Sequence, residues 1–352
     1  MMKSFRYESN LKKFILLSIF IVSITAFYAC SGNEPSQPAN TPVPTETETP
    51  SEGSSDGNHD SAALDESEQQ SILDSFNQAV FEHKGIEGMK TLADLMVDQI
   101  GALSPDYAEQ MLSRFENAQI KALEQDTGYG SVSDALAKAL FEKKIFTRAQ
   151  LDQLLSAPDQ IGDAPLAKEI QRYLDRFYTI ETQEGMYYLV VDYNRYMAYL
   201  PKMNQWFSNY VKLMARELSA RTFNDAAMVI PLEEMWERTT AVEALLNRGR
   251  SEGVSTRLET SYQRLQQYFV LLMNALVYGG NNTPVYAYDN SMMSDERKAF
   301  FESHAFGTES DLYEAFEVFK AVAREEGYKL TERVNAARDA IFDVVESEYI
   351  GK

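Results

Sequence analysis

The sequence predicts an all-α protein: a multi-helix bundle of roughly ten to twelve helices behind a disordered tether. Three observations predict it. Apolar residues recur at alternating spacings of three and four over long stretches, the period of one helix face. Glycine and proline fall between those stretches rather than inside them. Runs of alternating apolar and polar residues, the mark of half-buried strands, are almost lacking after Ser67.

The chain has 352 residues, with 44% apolar and 24% charged, enough to bury a sizeable core. Its net charge of −20 argues against nucleic acid as a partner, and against an anionic surface as the main one, because both select basic faces. One cysteine excludes a disulfide framework or a cysteine-built metal cluster.

Residues 1–29 form the first element. Lys3, Arg6, Lys12 and Lys13 make a basic start, and Phe14 to Ala29 is an uncharged, mostly apolar stretch. It is short for a membrane-spanning helix but suits a secretory signal. The lone cysteine, Cys30, follows the small residue Ala29 at once. This resembles a bacterial lipoprotein signal peptide, whose lipobox ends in a small residue followed by the cysteine that receives the lipid. The resemblance implies that Cys30 becomes the lipidated first residue of an extracytoplasmic protein held to a bacterial membrane. Read from the residues alone, an uncleaved N-terminal anchor remains the alternative. Either reading places the rest outside the cytoplasmic membrane.

The second element, residues 30–66, carries five prolines, many Ser, Thr, Asn and Glu, and no Lys, Arg or aromatic residue. Such a composition cannot offset its ordering entropy and predicts a disordered tether, on the order of 35 Å long as a coil. His59 belongs to it and reads as a solvated side chain.

The body, 67–352, reads as helices in order. Ser67 with Gln70, and Thr147 with Gln150, have capping-box spacing, and Ser104 precedes Pro105 as a cap precedes a first-turn proline. Helical faces run through Ala108, Met111, Phe115, Ala118 and Ala122; through Met235, Thr239, Val242 and Leu246; and through Leu258, Tyr262, Leu265, Phe269, Leu272 and Leu276. Two more run through Leu312, Phe316, Phe319 and Ala323, and through Val334, Ala337, Ile341 and Val345. Breaks are expected near Gly101, Gly128–Gly130, Ala157–Pro165, Pro201, Pro231, Gly249–Gly253, Gly279–Pro284 and Gly307, with a soft boundary between two lobes near 157–165. Met186 to Tyr193 is rich in strand formers, but Tyr193, Tyr196 and Tyr199 continue it at helical spacing. We read the whole stretch as helix.

Chemical motifs are sparse. No Glu-x-x-His or His-Glu-x-x-His pair occurs, and neither His83 nor His304 shares a helix face with its neighbouring glutamate, so no metal site is expected. Gly249-Arg250-Ser251-Glu252-Gly253 matches the Gly-x-Ser-x-Gly of hydrolases, and Asp289 or Asp295 and then His304 follow in order. That elbow works only between a strand and a helix; here it separates helices expected over 231–248 and 255–278, so it reads as a hairpin loop. No phosphate-cradling glycine loop occurs, and no catalytic residue or cofactor is assigned.

Two regions stand out. Residues 187–210 hold eight aromatics, against 12% in the whole chain, including Tyr193, Tyr196, Tyr199 and Trp206. Such side chains suit a tyrosine-rich core, or a pocket for a glycan, peptide or partner. The segment 278–290, with Tyr278, Asn281, Asn282, Tyr286 and Tyr288, reads as a long hydrogen-bonding loop, either a plain connector or part of such a pocket. Arg248, Arg250, Arg257 and Arg264 form a basic island that either holds an anion or pairs with the surrounding acids. The leading functional expectation is a lipid-anchored, non-enzymatic helical protein that binds a partner protein or envelope component. A glycan or small-ligand receptor is the alternative, and a wall or polysaccharide hydrolase the least favoured.

Overall fold

The computed structural model describes residues 64–126, 131–183 and 185–351. The signal-like segment, Cys30, the tether to residue 63 and the break at Gly128–Gly130 lie outside the described residues.

The described chain is all-α, with short strands added. In order it forms α1 (Glu66–Glu82), α2 (Gly85–Gln99), α3 (Pro105–Asp126), α4 (Asp134–Glu142), α5 (Arg148–Ser156), α6 (Ala164–Leu174), β1 (Tyr178–Gln183), β2 (Met186–Val191), α7 (Tyr193–Tyr196) and α8 (Gln205–Ser219). It continues with β3 (Phe223–Asn224), β4 (Ala227–Met228), α9 (Leu232–Ser251), α10 (Val254–Arg257), α11 (Glu259–Val277), β5 (Gly279–Gly280), β6 (Thr283–Pro284), α12 (Asp295–Ser303), α13 (Tyr313–Glu325) and α14 (Glu332–Val344). A π-helical turn, Val345–Ile350, closes the described chain. Short 3₁₀ turns lie at Ile100–Ala102, Pro158–Ile161 and Met197–Lys202. Among the described residues, twelve helices are nine residues or longer, and α7 and α10 are single turns.

Every expected apolar face is buried. Ala108, Met111, Phe115, Ala118 and Ala122 of α3 point inward, as do the five-turn stripe from Leu258 to Leu276 and the stripes of α9, α13 and α14. Helix α2 packs along α3, α9 along α11 and α13 along α14, so neighbours in sequence pack as helical hairpins. One contiguous cluster of buried residues runs from Leu73 to Tyr349.

Caps explain several starts. Thr147 and Gln150 form the expected capping box of α5. The box of α1 lies two residues earlier than expected: the Glu68 N–H donates to Asp65 Oδ1 at 2.8 Å, and the Asp65 N–H donates to Glu68 Oε2 at 2.9 Å. A carboxylate at the cap also complements the helix dipole, so the helix begins there and not at Ser67.

The helical reading of Met186–Tyr193 is corrected. Met186–Val191 is strand β2, paired antiparallel with β1 in a register that sets Ile180 opposite Leu189 and Tyr178 opposite Val191. Its burial alternates, with Tyr187, Leu189 and Val191 inside. Period two and β-branched or aromatic residues win here. The helical tyrosine spacing begins only at Tyr193, where the Asp192 carboxylate caps α7 by accepting from the Asn194 N–H at 3.1 Å.

The break expected near Gly249–Gly253 falls at the far end of that range. Helix α9 runs through Gly249 to Ser251, and the chain turns at Gly253, whose φ is +69°. Gly249 is buried because the space for its Cβ is taken: Trp206 Nε1 would lie 2.6 Å from that atom and Tyr262 Cε2 2.9 Å.

Candidate functional site

Helix α3 carries Ser113, Glu116 and Gln119 three residues apart, so all three enter the interior beside its apolar stripe. Glu116 is fully buried. It accepts from the Tyr193 hydroxyl at 2.6 Å, from the Ser261 hydroxyl at 2.9 Å and from the Tyr210 hydroxyl, with Arg264 Nε 3.6 Å away. Gln119 donates to the carbonyls of Arg176 at 2.8 Å and Phe177 at 3.0 Å, and accepts from the Tyr196 hydroxyl. Burial, followed by the Glu116 charge, holds the phenols of Tyr193, Tyr196 and Tyr210 well above their ordinary range. These hydroxyls stay protonated and act as fixed donors, which pins α3, α7, α8 and α11 together.

A second network surrounds Glu217 of α8. Its carboxylate accepts from Thr222 N–H at 2.9 Å, Thr222 Oγ1 at 2.8 Å, Arg238 Nη1 at 2.7 Å and Tyr268 Oη at 2.9 Å. A third pairs buried Glu181 of β1 with Arg148 of α5 and with Arg221, the latter at 3.1 Å. Burial raises the Glu181 carboxyl against the pull of both arginines. Each of these buried charges has an opposite charge and hydrogen bonds, the arrangement that makes burial tolerable.

These networks decide where the tyrosine-rich candidates lie. Tyr193, Tyr196 and Trp206 are buried, and Tyr199 is half-buried, its ring stacked on Phe177 at 6.4 Å. Trp206 stacks on Tyr210 at 5.8 Å and on Tyr262 at 6.2 Å, and its indole N–H donates to the Leu245 carbonyl at 2.8 Å. The rings face one another, which is the tyrosine-rich core of the two arrangements the sequence allows.

The 278–290 segment sits elsewhere. Tyr262 and Tyr278 mark the two ends of α11, about 24 Å apart along its axis, so the two candidate groups do not converge. Nor is the segment a free loop. β5 and β6 form a hairpin, Asn282 donates through its backbone and amide to the carbonyls of Ala226 and Asp225, and Thr283 Oγ1 accepts from the Met228 N–H. Tyr278 donates to Asp339 at 2.9 Å and lies under the Arg338 guanidinium. Tyr286 is buried, which pushes its phenol up to about 12. Asn281 and Tyr288 are exposed.

The serine motif straddles the end of α9, with Ser251 its last helical residue. Ser251 Oγ donates to the Arg248 carbonyl at 2.9 Å, while His304 Nε2 faces Glu233 at 2.9 Å. The basic island pairs off: Arg248 with Glu252, Arg257 with Asp106 and Glu109, Arg264 with Glu116, and Arg250 with the Glu348 carbonyl. Among the described residues no group of three or more His, Cys, Asp or Glu side chains is placed to hold a metal ion. None of their helices is long and apolar enough to cross a membrane. A shallow groove between α1 and Tyr107 of α3 is lined by Gln70, Asp74 and Gln78.

The most distinctive surface is the end of the β1–β2 hairpin. Phe141 is 56% exposed, Phe146 44% and Met186 44%. The two phenylalanines meet edge to face at 5.3 Å, and a Cβ on Gly185 would lie 3.4 Å from the Phe141 ring. The Tyr188 hydroxyl reaches Met186 Sδ at 3.2 Å. Exposed Lys143 and Lys144 lie between the phenylalanines in the chain. Single exposed apolar residues are ordinary, but large ones grouped together make a candidate interaction surface. Sequence reasoning missed it; its trace is the run Phe141-Glu142-Lys143-Lys144-Ile145-Phe146, two aromatics bracketing a lysine pair. No family model, curated protein or solved structure matches the chain.

Proposed function

We propose that this chain is a lipid-anchored, extracytoplasmic, non-enzymatic binding protein that engages an envelope component through the aromatic end of its β1–β2 hairpin. The observation that carries the reading is the cluster of Phe141, Phe146 and Met186 on a strongly acidic protein. The lysine pair beside it favours a partner with an apolar cleft and an acidic rim. The interior supports a scaffold role, since the buried carboxylates Glu116, Glu181 and Glu217 are engaged with arginines and hydroxyls of the fold itself.

The anchor rests on the basic start, the apolar stretch to Ala29 and Cys30. Its test is the mass and membrane partition of the chain made in a lipoprotein-processing bacterium. The reading expects the N-terminal fragment to begin at Cys30 with acyl chains attached, and expects Cys30→Ser to abolish that acylation. An N-terminus that retains residues 1–29 on all of the wild-type protein would overturn it.

A further inference from the structure

The fold provides partners for its buried arginines, with one exception. Arg238 donates to Glu217 at 2.7 Å and to Glu234. Arg176 donates to Glu87 Oε2 at 2.8 Å and to the Ile86 carbonyl at 2.9 Å. Arg338 lies over the Tyr278 ring at 4.0 Å and donates to Asn335 Oδ1 at 3.3 Å. Arg297 of α12 is 6% exposed, yet among the described residues no carboxylate, carbonyl or hydroxyl accepts from its guanidinium.

What covers this head group is soft. Nη2 meets Met228 Sδ at 4.0 Å, at the end of β4. Met228 is half-buried and is followed by Val229, 54% exposed, so the guanidinium lies close beneath the surface. A thioether on an unbranched stem gives way more easily than a packed ring or a backbone segment. The strand itself is pinned, because the Met228 N–H donates to Thr283 Oγ1 at 2.8 Å, so the side chain can swing while β4 stays in place. At the base of the arginine, its backbone N–H donates to Ser294 Oγ, which fixes the first turn of α12. The acids nearest in sequence, Asp295 and Glu296, are exposed, and Asp295 is held by Lys298 at 2.8 Å.

We propose that Arg297 is the binding residue of an oxyanion site, in which one carboxylate or phosphate group displaces the Met228 thioether and is gripped by the guanidinium. A buried guanidinium without a counter-charge is unfavourable, and in this strongly acidic chain none of the described acids is placed to offset it. A residue that breaks a folding rule in this way is expected at a functional site. Carboxylate and phosphate oxygens match the planar donor fork two at a time, which a thioether does not. The site shares no residue with the exposed cluster of Phe141, Phe146 and Met186 and does not depend on it.

The test is thermal unfolding of the full chain in about 50 mM phosphate or acetate, each against chloride at equal ionic strength, because a net charge of −20 makes stability sensitive to salt as such. The wild-type midpoint is expected to rise by at least about 2 °C in one or both anions, phosphate standing for a phosphate group and acetate for a carboxylate. Arg297→Met is expected to lose that rise. An equal rise in the wild type and in Arg297→Met would be a general salt effect and would overturn the proposal, as would no rise in either anion. Should Arg297→Met fail to fold, the arginine Nε–H signals of the wild-type protein are followed by NMR as the anion is added. The signal assigned to Arg297 by its loss in Arg297→Lys is expected to shift and saturate; a shift that stays linear in anion concentration would overturn the site.

Discussion

Gly249 shows how one residue sets the packing of three helices. Its missing Cβ lets the Trp206 indole reach the Leu245 carbonyl at 2.8 Å while Tyr262 stacks behind it. Alanine is the better helix former by about 1 kcal/mol, yet its methyl would sit 2.6 Å from Trp206 Nε1. Overpacking wins, and Gly249→Ala should lower stability by about 1–3 kcal/mol in denaturant titration; an unchanged midpoint would show that the indole has room to move. Arg297 gives the opposite sign. It is buried, and among the described residues its Nη1 has no partner and its Nη2 meets only Met228 Sδ at 4.0 Å. Burial lowers its guanidinium to about 10. A cation lowered in the fold costs stability at every pH below that value, so at neutral pH Arg297→Met should raise stability, by on the order of 2 kcal/mol. A fall in melting temperature would mean that this arginine is paired in solution. Neither residue announces itself in the sequence. Gly249 stands at one end of the break expected over Gly249–Gly253, because a glycine looks the same whether it turns the chain or makes room for a neighbour; Gly253 is the one that turns it.

At the scale of elements, the sequence was legible wherever one period dominated. The stripes of α3, α9, α11, α13 and α14 are buried as their spacing required, because a mostly apolar face of four to six residues has one way to leave water. It was ambiguous at 186–199, where strand-forming residues run into helically spaced tyrosines, and Asp192 marks the switch. It was silent on β1, since Tyr-Thr-Ile-Glu-Thr-Gln carries a buried Glu181 whose partners, Arg148 and Arg221, are distant in sequence. Gly185, just before this stretch, tests the hairpin by experiment. In the hairpin its φ is +75° and its Cβ position meets only an ordinary contact with Phe141. Gly185→Ala should therefore destabilise by about 1–2 kcal/mol through backbone strain; an unchanged or raised stability would contradict the turn. Thermal unfolding of the variant gives the sign.

At the scale of the molecule, the tyrosine-rich segment and the 278–290 segment were singled out by composition. The fold uses most of both as mortar: Tyr193, Tyr196 and Trp206 fill the centre, and Asn282 and Tyr278 tie the far end of α11 to neighbouring segments. Composition reports which side chains are present, but only topology decides which remain outside. The exposed cluster of Phe141, Phe146 and Met186 comes from two places in the chain joined by the β1–β2 hairpin, so no local pattern contains it. The central claim is that this cluster is where the protein meets its partner. The most direct measurement replaces Phe141 with a photo-crosslinking phenylalanine in the full chain, in cells, with Val318, 55% exposed, as the control position. The account predicts one discrete adduct from position 141 that is lost when Phe146→Ser and Met186→Ser are added, and no such adduct from position 318. The same adducts from both positions, or none from 141, would contradict it.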